Sequence, residues 1–282
     1  MIQITFPDKT SIKDLKNNRY QVVIEPFFPG FGVTVSNSLR RVLLSSLEGA
    51  AVTSFKVEGA QHEFDSVDGV KEDLVEIMLN LKQLRVKSFS EEAVKLNIDI
   101  KGEKVVTAAD IKKNADVEIM NPDLVIATIT DKNTKFNMEI VVERGRGYVT
   151  VEQRDESDKL EIGTIAIDAS FSPVLNVGYE IDNVRVGEMT NYERLTLDIL
   201  TDGSIDAKTA ISRAAKILED HFSLFIESEK SSSASKKDKD EPARNDSKAS
   251  GEDKPKKVTK KAAKKDKDES ARNDSKASGE DK

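Results

Sequence analysis

The chain has 282 residues, 37% of them hydrophobic and 34% charged, a balance too polar for one compact globule of that length, so part of it is expected not to fold. It contains no cysteine, which excludes disulfides, thiolate nucleophiles and cysteine-built zinc or iron–sulfur sites. The net charge of −7 divides unevenly, with 17 basic and 13 acidic side chains (net +4) in 228–282 and the remaining −11 on 1–227, and an acidic body argues against non-specific nucleic-acid binding, which needs clustered Lys and Arg.

The first residues, MIQITFPDKT, lack a basic segment followed by an apolar run, so no signal peptide is expected. No stretch approaches about 18 consecutive apolar residues, so no membrane span is expected either, and the cytoplasm is the default compartment. YQVVI at 20–24 reads as a strand. The spacing of Val35, Leu39, Val42, Leu43 and Leu47 predicts a helix over 34–48, with Gly49 where a C-terminal stop belongs. AVTSFKVE at 51–58 reads as the next strand. Val70, Leu74, Ile77, Met78 and Leu81 predict a second helix over 69–82. Strict alternation marks 94–100, with Val94, Leu96, Ile98 and Ile100 on one face, and 136–142, with Phe136, Met138, Ile140 and Val142. Further strands are expected at 124–130, 164–169, 176–181 and 195–200, with turns at Asn121-Pro122 and Asp202-Gly203.

A third helix is predicted over 207–227, lined by Ala210, Ile211, Ala214, Leu218, Phe222 and Phe225, with Asp206 as its N-cap. Ile217, Leu224 and Ile226 widen its apolar surface beyond the one stripe a surface helix buries. That excess suggests a second partner, and a helix of a sister chain would supply it. The body therefore reads as α+β.

Beyond residue 227 the composition changes. KKDKDEPARNDSKASGEDK at 236–254 recurs at 264–282 with one difference, Pro242 against Ser270. After Ile226 there is no aromatic residue, and Val258 is the sole branched aliphatic. Such a stretch buries too little apolar surface to offset its ordering entropy, so 228–282 is expected to be disordered. Its lysines, densest in 254–265, could make weak, salt-sensitive contacts with DNA. A solvating extension is the plainer reading, since acids and lysines cancel over most of its length.

Few residues carry recognisable chemistry. Gly30 and Gly32 flank Phe31, but GFGVTV lacks the third glycine and the Lys-Ser/Thr of a phosphate loop. RGRG at 144–147 reads as a turn between strands. His62, Glu63 and Asp65 are the one cluster of metal-ligand types, and His221 lies far away in sequence, so no metal site is expected. There is no HExxH and no nucleophile elbow. The chain calls for no cofactor, and no residue stands out as catalytic.

The run GFGVTVSNSLRRVLLSS at 30–46 is followed by HEFDSVDGVKEDLVEIMLNLK at 62–82, VTAADI at 106–111, RGRGYV at 144–149, DASFSPV at 168–174 and TDGSIDAKTAISRAAKIL at 201–218. In that order and spacing, from about residue 20 to 227, the chain resembles the amino-terminal part of bacterial RNA polymerase alpha subunits. The resemblance implies a homodimeric assembly scaffold for the beta and beta-prime subunits, with catalysis left to those larger partners. It implies a discontinuous dimerisation part at 1–48 and 166–227 and an inserted β-rich part at 49–165. The dimer would form through the helices at 34–48 and 207–227, by Val35, Leu39, Val42, Leu43, Ile211, Ala214, Leu218 and Phe222. Arg41, with Arg40, Asn37, Gly30 and Gly32, matches the family's beta contact, and Glu76 and Lys82 match positions facing beta-prime. Read alone, the arginines are a solvated helix face, as are Glu76 and Lys82. The family's usual carboxy-terminal DNA-binding domain is expected to be missing.

Two other classes remain open on sequence. One is a nucleic-acid-binding protein that dimerises by its body and binds by its tail. The other is an enzyme using carboxylates of the acidic body, which would need two of strongly unlike pKa in one pocket.

Overall fold

The computed structural model describes residues 4–154 and 161–234, with side chains described as far as Phe225 in the last helix. Residues 1–233 form one compact unit. The duplicated segments at 236–254 and 264–282 lie outside the described residues, as does all of the expected disordered tail beyond Ala234.

The chain opens with β1 (Lys9–Asp14) and β2 (Arg19–Phe27), then α1 (Phe31–Ser45) and β3 (Glu48–Val57). Next come α2 (Leu74–Leu81), β4 (Val86–Ser88), β5 (Val94–Lys101) and β6 (Lys104–Thr107). β7 (Val117–Ile119), β8 (Val125–Ile129), β9 (Lys135–Arg146) and β10 (Tyr148–Val149) follow. The last elements are β11 (Thr164–Ala166), β12 (Ala169–Ser170), β13 (Val174–Val186), β14 (Met189–Thr201) and α3 (Ala207–Ala234). The protein is α+β, built from antiparallel sheets and helices. No described helix is long and apolar enough to cross a membrane.

Two sheets organise the described residues. One is four-stranded, in the order β1-β2-β14-β13, and carries α1 against its β13–β14 side. The other runs β5-β9-β3-β4-β7, with β11 added on β3. Alternation explains the second: Val94, Leu96 and Ile98 of β5 and Phe136, Met138, Ile140 and Val142 of β9 all point to one buried face.

Each sheet has its own hydrophobic core. The larger gathers residues from Val52 to Ile167, including Phe55, Leu74, Ile77, Leu81 and Phe136. The other joins Val22, Phe27, Leu39, Leu43 and Leu47 to Val174, Val177, Leu195, Leu197, Ile199, Ala207, Ala210 and Ala214. No residue belongs to both. The chain enters the larger core after α1 and leaves it before β13.

Several elements depart from the sequence expectations. The second helix starts at Leu74 rather than residue 69, because the Asp73 carboxylate accepts from the Glu76 amide at 2.7 Å and fixes the first turn there. Gly49 is not a helix stop: α1 ends at Ser45 and Gly49 lies within β3. It faces Gly145 across the β3–β9 ladder, and Phe171 closes over both. The RGRG run is mostly strand, since β9 continues to Arg146, and Gly147 at φ 66° makes the turn into β10. The last helix runs to Ala234, seven residues into the stretch expected not to fold, with no glycine or proline to interrupt it.

Candidate functional site

The segment from Pro29 to Ser45 concentrates the residues of greatest interest. β2 ends at Phe27 and the chain turns into α1 through Gly30, whose φ of 87° is a left-handed conformation costly for any side chain. Phe28 packs edge-on against both Phe31 and Tyr192, with ring centroids 6.2 Å apart in each case. α1 has no acidic residue in its first turn and receives no cap from its own N-cap side chain. The cap comes from Glu193 on β14 instead. Its Oε1 accepts from the Gly30 amide and its Oε2 from the Gly32 amide, each at 2.8 Å.

Along α1, Gly32, Ser36, Leu39 and Leu43 are buried in the fold. The opposite side exposes Val33, Asn37, Arg40 and Arg41. Tyr179 donates its hydroxyl to Asn37 Oδ1 at 3.1 Å. Among the described residues no carboxylate engages either Arg40 or Arg41. Two planar guanidinium forks, one turn past Asn37, are therefore available to a carboxylate or carbonyl of another molecule.

Glu76 and Lys82 are separate from this surface. Both are exposed, at the start and end of α2. The Lys82 ammonium lies 3.2 Å from Asp168 Oδ2. The Val151 amide, which donates to Asp168 Oδ1 at 3.0 Å, and then Lys82 hold the Asp168 carboxyl below the ordinary carboxylate value.

The apolar positions of α1 and α3 divide by burial. Leu39, Leu43 and Ala214 are buried in the chain's own smaller core. Val35, Val42, Ile211 and Leu218 are half-buried at its margin. Phe222 is 59% exposed and Leu224 64% exposed. Ile211, Leu218 and Phe222 share one side of the helix, so an apolar strip begins in the core and emerges at Phe222, with Leu224 exposed on another side of α3.

His62 and Asp65 meet within one loop: His62 Nε2 is 3.1 Å from Asp65 Oδ1, and Asp65 Oδ2 accepts from the Gln61 and His62 amides. Among the described residues no group of three or more His, Asp or Glu could hold a metal ion.

Sequence reasoning overlooked Glu193. It stands in period with Leu195, Leu197 and Ile199, all buried. An acid placed on the core side of an alternating strand is the signal that could have found it, because a carboxylate there needs donors.

Comparison with known proteins gives the relatives of the chain as a whole. A family model described as "RNA polymerase Rpb3/RpoA insert domain" matches residues 55–172. The chain is also 48% identical over 227 residues to a DNA-directed RNA polymerase subunit alpha of Oceanobacillus iheyensis, covering 80% of this chain and 72% of that protein.

Proposed function

The chain belongs to the family of bacterial DNA-directed RNA polymerase alpha subunits, and from that premise we propose that it is a non-catalytic, homodimeric scaffold on which the beta and beta-prime subunits assemble. Membership of the family itself implies partners within the polymerase complex. In this reading, 1–48 and 166–227 make the dimerisation part and 49–165 the inserted part; the two separate cores support the division, with Ile167 alone of the second stretch packing in the larger core. Arg41, with Arg40, Asn37 and the Gly30–Gly32 turn, takes the beta subunit. Glu76 and Lys82 face beta-prime. Val35, Val42, Ile211, Leu218 and Phe222 meet the sister chain, while Leu39, Leu43 and Ala214 support them from beneath.

The observation that carries the reading is the pair of exposed arginines with no carboxylate on either among the described residues. Within α1 the i±4 neighbours of the two arginines are Ser36, Leu44, Asn37 and Ser45, so the helix itself offers neither an ion pair. A docking surface keeps them for the partner, where losing a buried fork costs far more than losing a rim charge.

The test is the mass in solution of the full-length protein, alone and mixed with the cognate beta subunit. The wild type should run as a dimer that takes up beta. Arg41→Ala should remain a dimer and lose at least about tenfold in beta affinity. A monomer that ignores beta would overturn the scaffold role.

A further inference from the structure

Glu193 belongs to none of the contact surfaces proposed above, although both of its carboxylate oxygens are committed. Two backbone amides, Gly30 and Gly32, converge on it at 2.8 Å each. Charge-assisted bonds of this kind, at the positive end of a helix, are among the stronger polar contacts a fold makes. The bonds span 163 and 161 residues of sequence, so they tie α1 to a strand made much later in the chain.

The surroundings are shaped for this contact. A Cβ on Gly32 would come within 2.6 Å of Glu193 Oε2, so only glycine lets the carboxylate reach the amide. The register shift between β14 and β2 puts the extra residue on β2, between Phe27 and Ile24, so the strand bends on its way into the Gly30 turn while β14 stays regular and keeps Glu193 in phase with Leu195. The neighbouring Tyr192 is 9% exposed and packs on Phe28, which fixes the strand at this point. A further tether from the same hairpin is the Tyr179 hydroxyl on Asn37.

We infer that Glu193 is a positioning residue for beta-subunit docking: its carboxylate locks the Gly30–Gly32 turn and so sets where Asn37, Arg40 and Arg41 stand. This rests on the reading that Arg41 carries the beta contact. Bidentate arginine recognition tolerates errors of only about 0.5 Å in position. A helix released at its first turn can shift along the sheet by that much without unfolding, because Leu39 and Leu43 remain buried. Glu193 therefore acts on docking geometry through the backbone, without touching the partner.

The experiment uses the full-length protein with the cognate beta subunit, comparing wild type with Glu193→Ala, Glu193→Asp and Arg41→Ala. Beta affinity is titrated, dimer mass is measured by light scattering, and amide exchange of the free dimers is followed by mass spectrometry. Glu193→Ala should weaken beta capture about tenfold at unchanged dimer mass. Exchange should accelerate in residues 28–34 and leave 174–201 protected. Glu193→Asp keeps a carboxylate one methylene shorter, and should recover part of both the capture and the protection.

Wild-type beta affinity in Glu193→Ala would overturn the inference. So would exchange that rises throughout 174–201, since that would make Glu193 a general support of the sheet. If Arg41→Ala takes up beta as well as the wild type, the reading of the arginines has failed, and the inference with it. If Arg41→Ala fails to take up beta while Glu193→Ala succeeds, only the positioning role has failed.

Discussion

Gly49 and Gly145 show how a single missing Cβ can decide local packing. They face each other on the β3–β9 ladder. A Cβ at Gly49 would stand 1.9 Å from the carbonyl oxygen of Phe171, and one at Gly145 would stand 2.7 Å from its ring. Neither overlap involves the movable end of a flexible chain, so the backbone would have to shift. Gly49→Ala should therefore destabilise the protein by about 1–3 kcal/mol, the usual cost of overpacking. Gly178→Ala is the control. The nearest atom to its Cβ would be that of Asp198 at 3.7 Å, an ordinary contact, and alanine loses less freedom than glycine on folding. Urea unfolding should give Gly49→Ala a lower midpoint than the wild type and an unfolding free energy about 1 kcal/mol or more below that of Gly178→Ala. Equal midpoints would mean that Phe171 yields more easily than its position suggests.

At the scale of elements, what the sequence reveals depends on periodicity. β5 and β9 are legible because four apolar residues alternate in each and all are buried apart from Ile100, which is half-buried. β1 is illegible, since every one of its residues is exposed and it is held as an edge by β2 alone. β4 and β7 have three residues each, too few for any period to register. The arginines of α1 were legible only through family resemblance, whereas the Glu193 contact depends on pairing across the sheet, which no local pattern encodes. α3 lies at the legible end. Asp206 caps it as expected, its carboxylate accepting from the Thr209 amide at 3.3 Å. The Thr209 side chain first, and then nearby amides, hold the Asp206 carboxyl below its ordinary value of 3.8. A carboxyl lowered in the folded state contributes stability above its unfolded value and loses it as pH falls through the folded one. Asp206→Ala should thus cost about 1 kcal/mol at pH 7. The difference from wild type should shrink as the pH drops below 3.8. Thermal melts of both proteins in acid and at neutrality check this, and a difference that does not change with pH would assign the cost to packing instead of the carboxylate.

For the whole molecule the decisive question is what covers α3. Its first two turns are built into the smaller core through Ala207, Ala210 and Ala214. Beyond them Phe222, one turn on from the half-buried Leu218, is 59% exposed, apolar surface that a lone chain leaves wet at a cost of about 25 cal/mol for each Å². A two-fold interface repeats every contact, so in the proposed dimer one substitution on this strip would enter twice. Phe222→Asp should therefore act on association far more than on folding. The side chain is mostly in water within the single chain, so the change there is small. Buried against a sister helix, an unpaired carboxylate would cost several kcal/mol, and two would be forced in together. Light scattering should give half the wild-type mass for Phe222→Asp, with circular dichroism unchanged. Lys216→Asp, on the other side of the same helix and exposed, should leave the mass as it was. Were both variants to stay dimeric, the sister chain would have to meet some other surface, and the strip on α3 would belong to a larger partner of the complex.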